Sequence, residues 1–477
     1  MFLIHTGNGA LVGTVNGSTG PYLSTLSQGF AFTGGRVFAL GFNSAMVSTE
    51  YPTQATTFND TFQVWGIDSA SNKALLAMES RNTSAFSLAT QQFNSNGFSI
   101  ITEQYGVTDF RSWAKTWVTT TTDTGPLQFK IFDVGDTIFD SAALFDSAFV
   151  YSLTPTFLVR NGAQLITTGP APLAEFINQS PAFDSLMVIC CQGSAVLGGG
   201  LMHTKNTNLN IPISILSVVQ GGSFKTTSLN SVAFLEGGTH TIGTQVAAFD
   251  LSGVNTAVDM TVGYPGVGLT LGTDKVMQFP GALLETSGAT VNTRKVMQID
   301  TALVEATAPL IWAHNGSNIT TSQDAVDLSF RARVTSLSPV VRLDASTLTV
   351  ANGSAINVAA SVLRITGDLF TLLNGSTLRV LNGTLLNASG GSNVFVSGAF
   401  ISFNGTGGNI VSVANSFCPC TSIGGIPVAL VGGATASQVS ISAGAIRNPT
   451  LGSITPNVAL IRVIGPVTHV TIGGSGP

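Results

Sequence analysis

Three aspartates, Asp133, Asp136 and Asp140, fall within the run Phe132-Asp-Val-Gly-Asp-Thr-Ile-Phe-Asp-Ser-Ala-Ala-Leu-Phe145, which is otherwise apolar strand text. Hard cations such as Ca2+ take six to eight oxygens from carboxylates, amides and carbonyls. Glu50 and Asp60, brought across a sheet, could complete such a set. The competing role is ordinary: aspartates cap turns and bond backbone amides. Paired carboxylates also suggest glycoside hydrolysis, but no aromatic-lined acid cluster is visible along the chain.

A second group alternates. In Phe110-Arg-Ser-Trp-Ala-Lys-Thr-Trp-Val118, Arg111, Trp113, Lys115 and Trp117 share one strand face. Two Trp interleaved with two cations suit a protein interface or a glycan platform. The alternative is that the indoles pack under a loop and the cations snorkel out. His5, His203, His240 and His314 are scattered, with no Ser/Cys and Asp pattern beside them. From residue 331 onward there is no Glu and no Lys, and the acids are Asp344 and Asp368. An acid/base pair cannot be assembled there, so the expectation is a protein without catalytic activity.

Of the 477 residues 9% are charged, against a usual ~25%. The net charge is -5 and Lys/Arg never cluster, which argues against nucleic-acid binding. Such a Ser/Thr/Asn/Gly surface suits a protein outside cells or one packed against its own copies. No apolar stretch reaches the ~18 residues of a membrane helix. Met1 to Ile4 is too short for a signal-peptide core, so an exported form is expected to have lost its leader or to start upstream. The cysteines form two close pairs, Cys190-Cys191 and Cys418-Pro-Cys420, with no zinc-site spacing. Disulfide and free thiol both remain open.

The positioning elements come from a beat of about thirty residues. Asp344, Asn374 and Asn404 mark it, with Asn315 one step earlier and Asn352 and Asn382 in a parallel register. Short apolar runs broken by Asn-Gly at a fixed period indicate a stacked solenoid. About ten residues per side point to a three-sided, right-handed parallel β-helix, with Asp344, Asn374 and Asn404 stacked as a ladder. The many Asn-x-Ser/Thr triplets are read as turns rather than glycosylation sites. The expected order is an antiparallel β-sandwich or jelly roll over 1–155, irregular rungs over 156–308, and regular rungs with a C-terminal strand over 309–477. Leu201 to Pro212 reads as a loop leaving the stack, and Ser185 to Val196 as one buried strand.

Ser48-Thr-Glu-Tyr-Pro52, Phe58-Asn-Asp-Thr-Phe62, Phe32-Thr-Gly-Gly35, Gly41-Phe-Asn-Ser44 and the aspartate run resemble the bacterial extracellular choice-of-anchor family over residues 25 to 150. The pattern departs at Gln104-Tyr-Gly106, where the family tends to have Tyr-Asp-Gly, so any role of that Asp is lost. The resemblance implies a secreted or surface-attached sandwich and no enzymatic activity. Together these features suggest an extracellular structural protein whose bare C-terminal end docks head-to-tail on another copy. The alternatives are a glycan-binding adhesin or fibre, and a degenerate polysaccharide-active enzyme.

Overall fold

The structure is a computed structural model. It describes the segments 2–5, 23–32, 36–48, 61–67, 73–80, 86–88, 93–95, 98–100, 106–108, 111–119 and 123–132, then 141–252, 276–414, 421–431, 437–454, 458–464 and 469–473. The chain is all-β. Among the described residues the sole helical element is a single 3-10 turn at Pro449–Leu451, and no helix is long and apolar enough to cross a membrane.

From Pro155–Val159 onward the strands build a parallel solenoid of about nine turns. Each turn contributes to four stacked sheets of 11, 10, 9 and 8 strands, here called the first to fourth in chain order. The expected three sides are thus corrected to four. One turn runs Val326–Ser329, Arg333–Ser336, Val341–Asp344 and Thr347–Val350 before Ile356–Ala359 restarts the first sheet. Four-residue strands fit four sides because each corner takes only a few residues. Val326 pairs with Ile356, and Ile356 with Leu386, each thirty residues on.

Alternation within the strands sorts inside from outside. In Val341-Arg-Leu-Asp344, Val341 and Leu343 are buried while Arg342 and Asp344 are half-exposed. The inward residues merge into one continuous apolar core from Val159 to Val463. Leu201 to Pro212 belongs to this stack, as strands Met202–Lys205 and Leu209–Ile211, so the expected loop there is corrected. Ser185 to Val196 is likewise two strands, Ser185–Ile189 and Ser194–Leu197, separated by a turn in which Cys191 and Gln192 are left-handed.

The Asn beat has a backbone cause. The corner between the third and fourth sheets places a left-handed residue at one position in eight successive turns: Asn178, Asn206, Gly237, Gly288, Asn315, Ala345, Asn374 and Gly405. Asn and Gly are the residues that tolerate this conformation best. The ladder register is corrected accordingly. Asp344 pairs with Leu373, and Leu373 with Asn404, so Asn374 sits one position later, level with Ala345 and Asn315. Its side chain still joins the turns, donating to Asp344 Oδ1 at 2.7 Å and accepting from the Thr406 N–H at 3.0 Å. Inside the same corner a hydroxyl ladder climbs the stack: Ser317 N–H donates to Ser346 Oγ at 3.0 Å and Ser346 N–H to Ser376 Oγ at 3.2 Å.

At the C-terminal end a hairpin, Thr421–Ile423 with Ile426–Val431, turns through Gly424 and Gly425, both at positive φ. Its second strand pairs with Ile461–Ile464 and extends the first sheet beyond it. A Cβ on Gly424 would lie 2.7 Å from the Ile472 side chain, so the hairpin also rests on the last strand of the second sheet.

Before the solenoid, described strands form a six-stranded and a four-stranded antiparallel sheet. Phe42 and Phe145 of one meet Phe129 of the other, edge-on at 5.4 Å and stacked at 4.4 Å.

If the left-handed corner governs stability, Ala345→Gly should raise the unfolding free energy by up to about 1 kcal/mol. Asn374→Val should lower it by about 2 kcal/mol, since a β-branched residue is poorest there. Urea midpoints read both, and a neutral Asn374→Val would remove the corner from the account.

Candidate functional site

The third sheet carries the site on its outward face. Cross-strand register aligns Glu175, His203, Phe234, Glu285, Trp312 and Arg342 in one row, one residue per turn. Beside it, two residues along each strand, runs a second row of Lys205, Glu236, Ser287 and His314. All point away from the core because their neighbours Met202, Thr204, Ala233, Leu235, Leu284, Ile311 and Ala313 fill it. Past residue 156 the chain has four glutamates, and this face takes three of them, the fourth being Glu305 on the second sheet.

The groups are coupled. His203 Nδ1 lies 3.0 Å from Glu175 Oε1, and its Nε2 3.5 Å from Glu236 Oε2. Lys205 Nζ approaches Glu236 Oε1 at 2.9 Å, and this bond, with His203 adding to it, holds the Glu236 carboxyl below its ordinary range. His314 Nε2 meets Glu285 Oε1 at 3.1 Å, while Ser231 donates to the other Glu285 oxygen. The rings form a stack along the solenoid axis. His203 faces Phe234 at 5.2 Å, Phe234 faces His314 at 6.4 Å, and His314 faces Trp312 at 5.0 Å. Arg342 closes it over Trp312 at 5.5 Å. The Trp312 indole N–H and Arg342 Nε are shielded from water but have no hydrogen-bond partner among the described residues.

This cluster corrects one expectation: an aromatic-lined acid cluster exists, and His203 and His314 within it are paired with glutamates, not in a Ser/Cys and Asp pattern. Sequence reading missed it because the members lie 27 to 51 residues apart: Glu285 and Trp312 are 27 apart, whereas Phe234 and Glu285 are 51 apart. The signal that could have found it is the left-handed Asn or Gly after each strand, as in Met-His-Thr-Lys-Asn206 and Phe-Leu-Glu-Gly237, which sets the register without a fixed period.

The other sequence candidates lie elsewhere. Asp133, Asp136, Asp140, Glu50 and Asp60 fall outside the described residues. Among the described residues no three His, Cys, Asp or Glu side chains group to hold a metal. The Arg111, Trp113, Lys115, Trp117 strand is placed against the chain's own solenoid and core rather than on an open platform. Trp117 is buried in the aromatic cluster, Trp113 is half-buried on it, and Lys115 is buried beside Asp300. For Arg111 only its place in the strand Arg111–Val118 is described.

That strand pairs with Val37–Ser48 through one edge. Its other edge is met by side chains of the solenoid's first sheet. Asp250 Oδ2 accepts from the Thr116 N–H at 2.8 Å, and Gln298 Nε2 donates to the Ala114 carbonyl at 3.0 Å. Gln220 holds both groups of Val118, accepting from its N–H at 2.9 Å and donating to its carbonyl at 3.1 Å. Burial pushes Lys115 down to about 7, against the attraction of Asp250 and Asp327.

No protein-family model matches this chain, and no curated protein matches it in sequence. Two solved structures were aligned: the catalytic domain of a GH87 alpha-1,3-glucanase in complex with nigerose, and a single-substitution variant of that domain with the same ligand. They cover 95% and 92% of this chain and 90% and 92% of their own, at 8% and 10% identity, with TM-scores of 0.15 and 0.14. At those scores the alignments carry no argument about fold or activity.

The Lys115 shift gives a pH test. The unfolded amine titrates near 10.5 and the folded one near 7. Between those values the unfolded chain binds the extra proton, so stability rises with pH, by at most about 1.4 kcal/mol per unit. Lys115→Met, which cannot titrate, should lose that slope in unfolding curves recorded from neutral to alkaline pH. An unchanged slope would assign the effect to other groups.

Proposed function

We propose that this chain is an extracellular glycan-binding protein of the adhesin or fibre type. In this reading a choice-of-anchor-like β-sandwich precedes a right-handed β-helix, and the outward face of the third sheet takes the ligand. The observation that carries it is the concentration of Glu175, His203, Lys205, Glu236, Glu285, His314 and Arg342 around Phe234 and Trp312, in a chain with 9% charged residues. Sugar hydroxyls both donate and accept, and such a row offers carboxylate acceptors beside ammonium and guanidinium donors. The unmatched Trp312 N–H and Arg342 Nε are further donors for a ligand oxygen, since buried polar atoms without partners call for an explanation.

The reading assigns no catalytic step, because the Glu236 and Glu285 carboxylates are already held by Lys205, His203, His314 and Ser231. The head-to-tail fibre has weaker support. The hairpin Thr421–Ile423 with Ile426–Val431 already extends over the first and second sheets at that end of the stack.

Full-length protein on a glycan array should retain a defined set of polysaccharides. Glu236→Gln and Trp312→Ala should each weaken that binding about tenfold, about 1.4 kcal/mol, without changing the melting temperature by more than a few degrees. Binding that persists unchanged in both variants would move the ligand to another surface. An array with no ligand, together with fibres in negative-stain images, would favour the structural-fibre alternative.

A further inference from the structure

We propose that the outward face of the fourth sheet binds ice, through two files of threonine and asparagine set out as a two-dimensional lattice. This does not depend on the glycan reading, which uses the third sheet. Five successive strands of the fourth sheet begin Thr239-His-Thr241, Thr290-Val-Asn292, Asn318-Ile-Thr320, Thr347-Leu-Thr349 and Thr377-Leu-Arg379. The middle residue of each triplet is buried in the core, so the outer two face away from it. Pairing runs without a register shift. One file passes from Thr239 through Thr290, Asn318 and Thr347 to Thr377, the other from Thr241 through Asn292, Thr320 and Thr349 to Arg379. Before Arg379 ends the second file, the nine outward positions are seven threonines and two asparagines. The seven hydroxyls have no hydrogen-bond partner among the described residues, which leaves them available to water.

The lattice has two spacings. Neighbouring strands lie about 4.8 Å apart, and residues two apart along a parallel strand about 6.6 Å. These repeats, at right angles, lie near the two oxygen repeats on a prism face of hexagonal ice. A hydroxyl both donates and accepts, as a water molecule in ice does. Branching at Cβ restricts χ1 of threonine, so the hydroxyls are ordered before any ligand arrives. Waters held on them are thereby placed at the spacing of the first layer of the crystal, and the methyl groups between them need no hydrogen bonds from it.

Charge separates this face from the others. An ammonium or carboxylate keeps a strong hydration shell of its own, which does not fit the ice lattice. The nine positions carry no charge, while the second sheet presents Lys225, Glu305, Arg333 and Arg364 and the third its glutamates. The general preference of threonine for strands would favour it on every outward face. The corresponding file of the second sheet, from Lys225 to Phe395, holds one threonine, Thr335. A crystalline polysaccharide would call for aromatic rings to stack on its sugar faces, and none of the nine residues is aromatic.

The test uses the full chain. Ice is grown slowly on a cooled probe from a dilute solution that also contains serum albumin. The ice should take up several-fold more of this protein than of albumin, and fine-grained ice held just below melting should coarsen more slowly in its presence. The double variant Thr320→Lys, Thr349→Lys should fall to the albumin level with its melting temperature unchanged. Thr335→Lys, on the second sheet, should partition as the wild type does. Wild-type protein excluded from ice as fully as albumin would overturn the proposal. Uptake that persists in the folded double variant, or that is lost equally in Thr335→Lys, would overturn the assignment to the fourth sheet.

Discussion

One backbone constraint governs the solenoid: at the corner between the third and fourth sheets, each turn must place a residue in the left-handed region. Eight successive positions obey it, from Asn178 to Gly405. For ordinary L-residues that conformation costs roughly 1–2 kcal/mol, and Asn and Gly lower the cost. The corner fixes which strand residues precede it. The last strand residue faces outward, the one before it inward, and so on back along the strand. Everything on the third sheet inherits its facing from this point. The first-to-second corner uses the same device at Asn161, Cys191, Gln220 and Ala360.

This explains what the sequence revealed. Asn315, Asn374 and the Asn-Gly strings are visible because the corner selects them, and the thirty-residue beat follows from the regular turns after residue 309. Ala345 hides the beat at one turn, since it occupies the same corner with φ 49° and no turn-like side chain. Asp344 and Asn404, one residue earlier, then look like corner residues, and the register slips by one at Asn374. The side count was misjudged for a related reason. A corner of one or two left-handed residues is too short to read as a boundary, so two four-residue strands with their corner look like one side.

The outward row was illegible for a different reason. Between Phe234 and Glu285 the chain takes 51 residues instead of about thirty, so the period breaks where the charged side chains lie. The seam with Arg111–Val118 was hidden too. Its alternation of Trp and cation is the same whether that face meets solvent, a partner or the chain's own core. What distinguishes the cases is the free edge of the strand. Unpaired N–H and C=O groups invite aggregation unless something covers them. Here Gln220, Asp250 and Gln298 substitute side-chain amides and a carboxylate for a neighbouring strand.

The two outward polar surfaces therefore differ in how their polar groups are satisfied. On the first sheet, Ser217, Asp250 and Gln298 occupy one register row and are buried, with partners on Thr116 and Ala114. On the third sheet the charged groups satisfy one another: Glu175 and Glu236 through His203, Glu236 through Lys205, Glu285 through His314. The more exposed of these pairs, Lys205 with Glu236 and Glu175 with His203, contribute little to stability, about 0–1 kcal/mol each. A solenoid already held by its continuous apolar core gains little by placing three glutamates on one face. Ring stacking alone does not require them either, since Phe234 and Trp312 would stack on aliphatic neighbours equally well. Stability thus gives little reason for charge to gather on this sheet in a chain so poor in it, and that imbalance is what the proposed ligand-binding reading rests on.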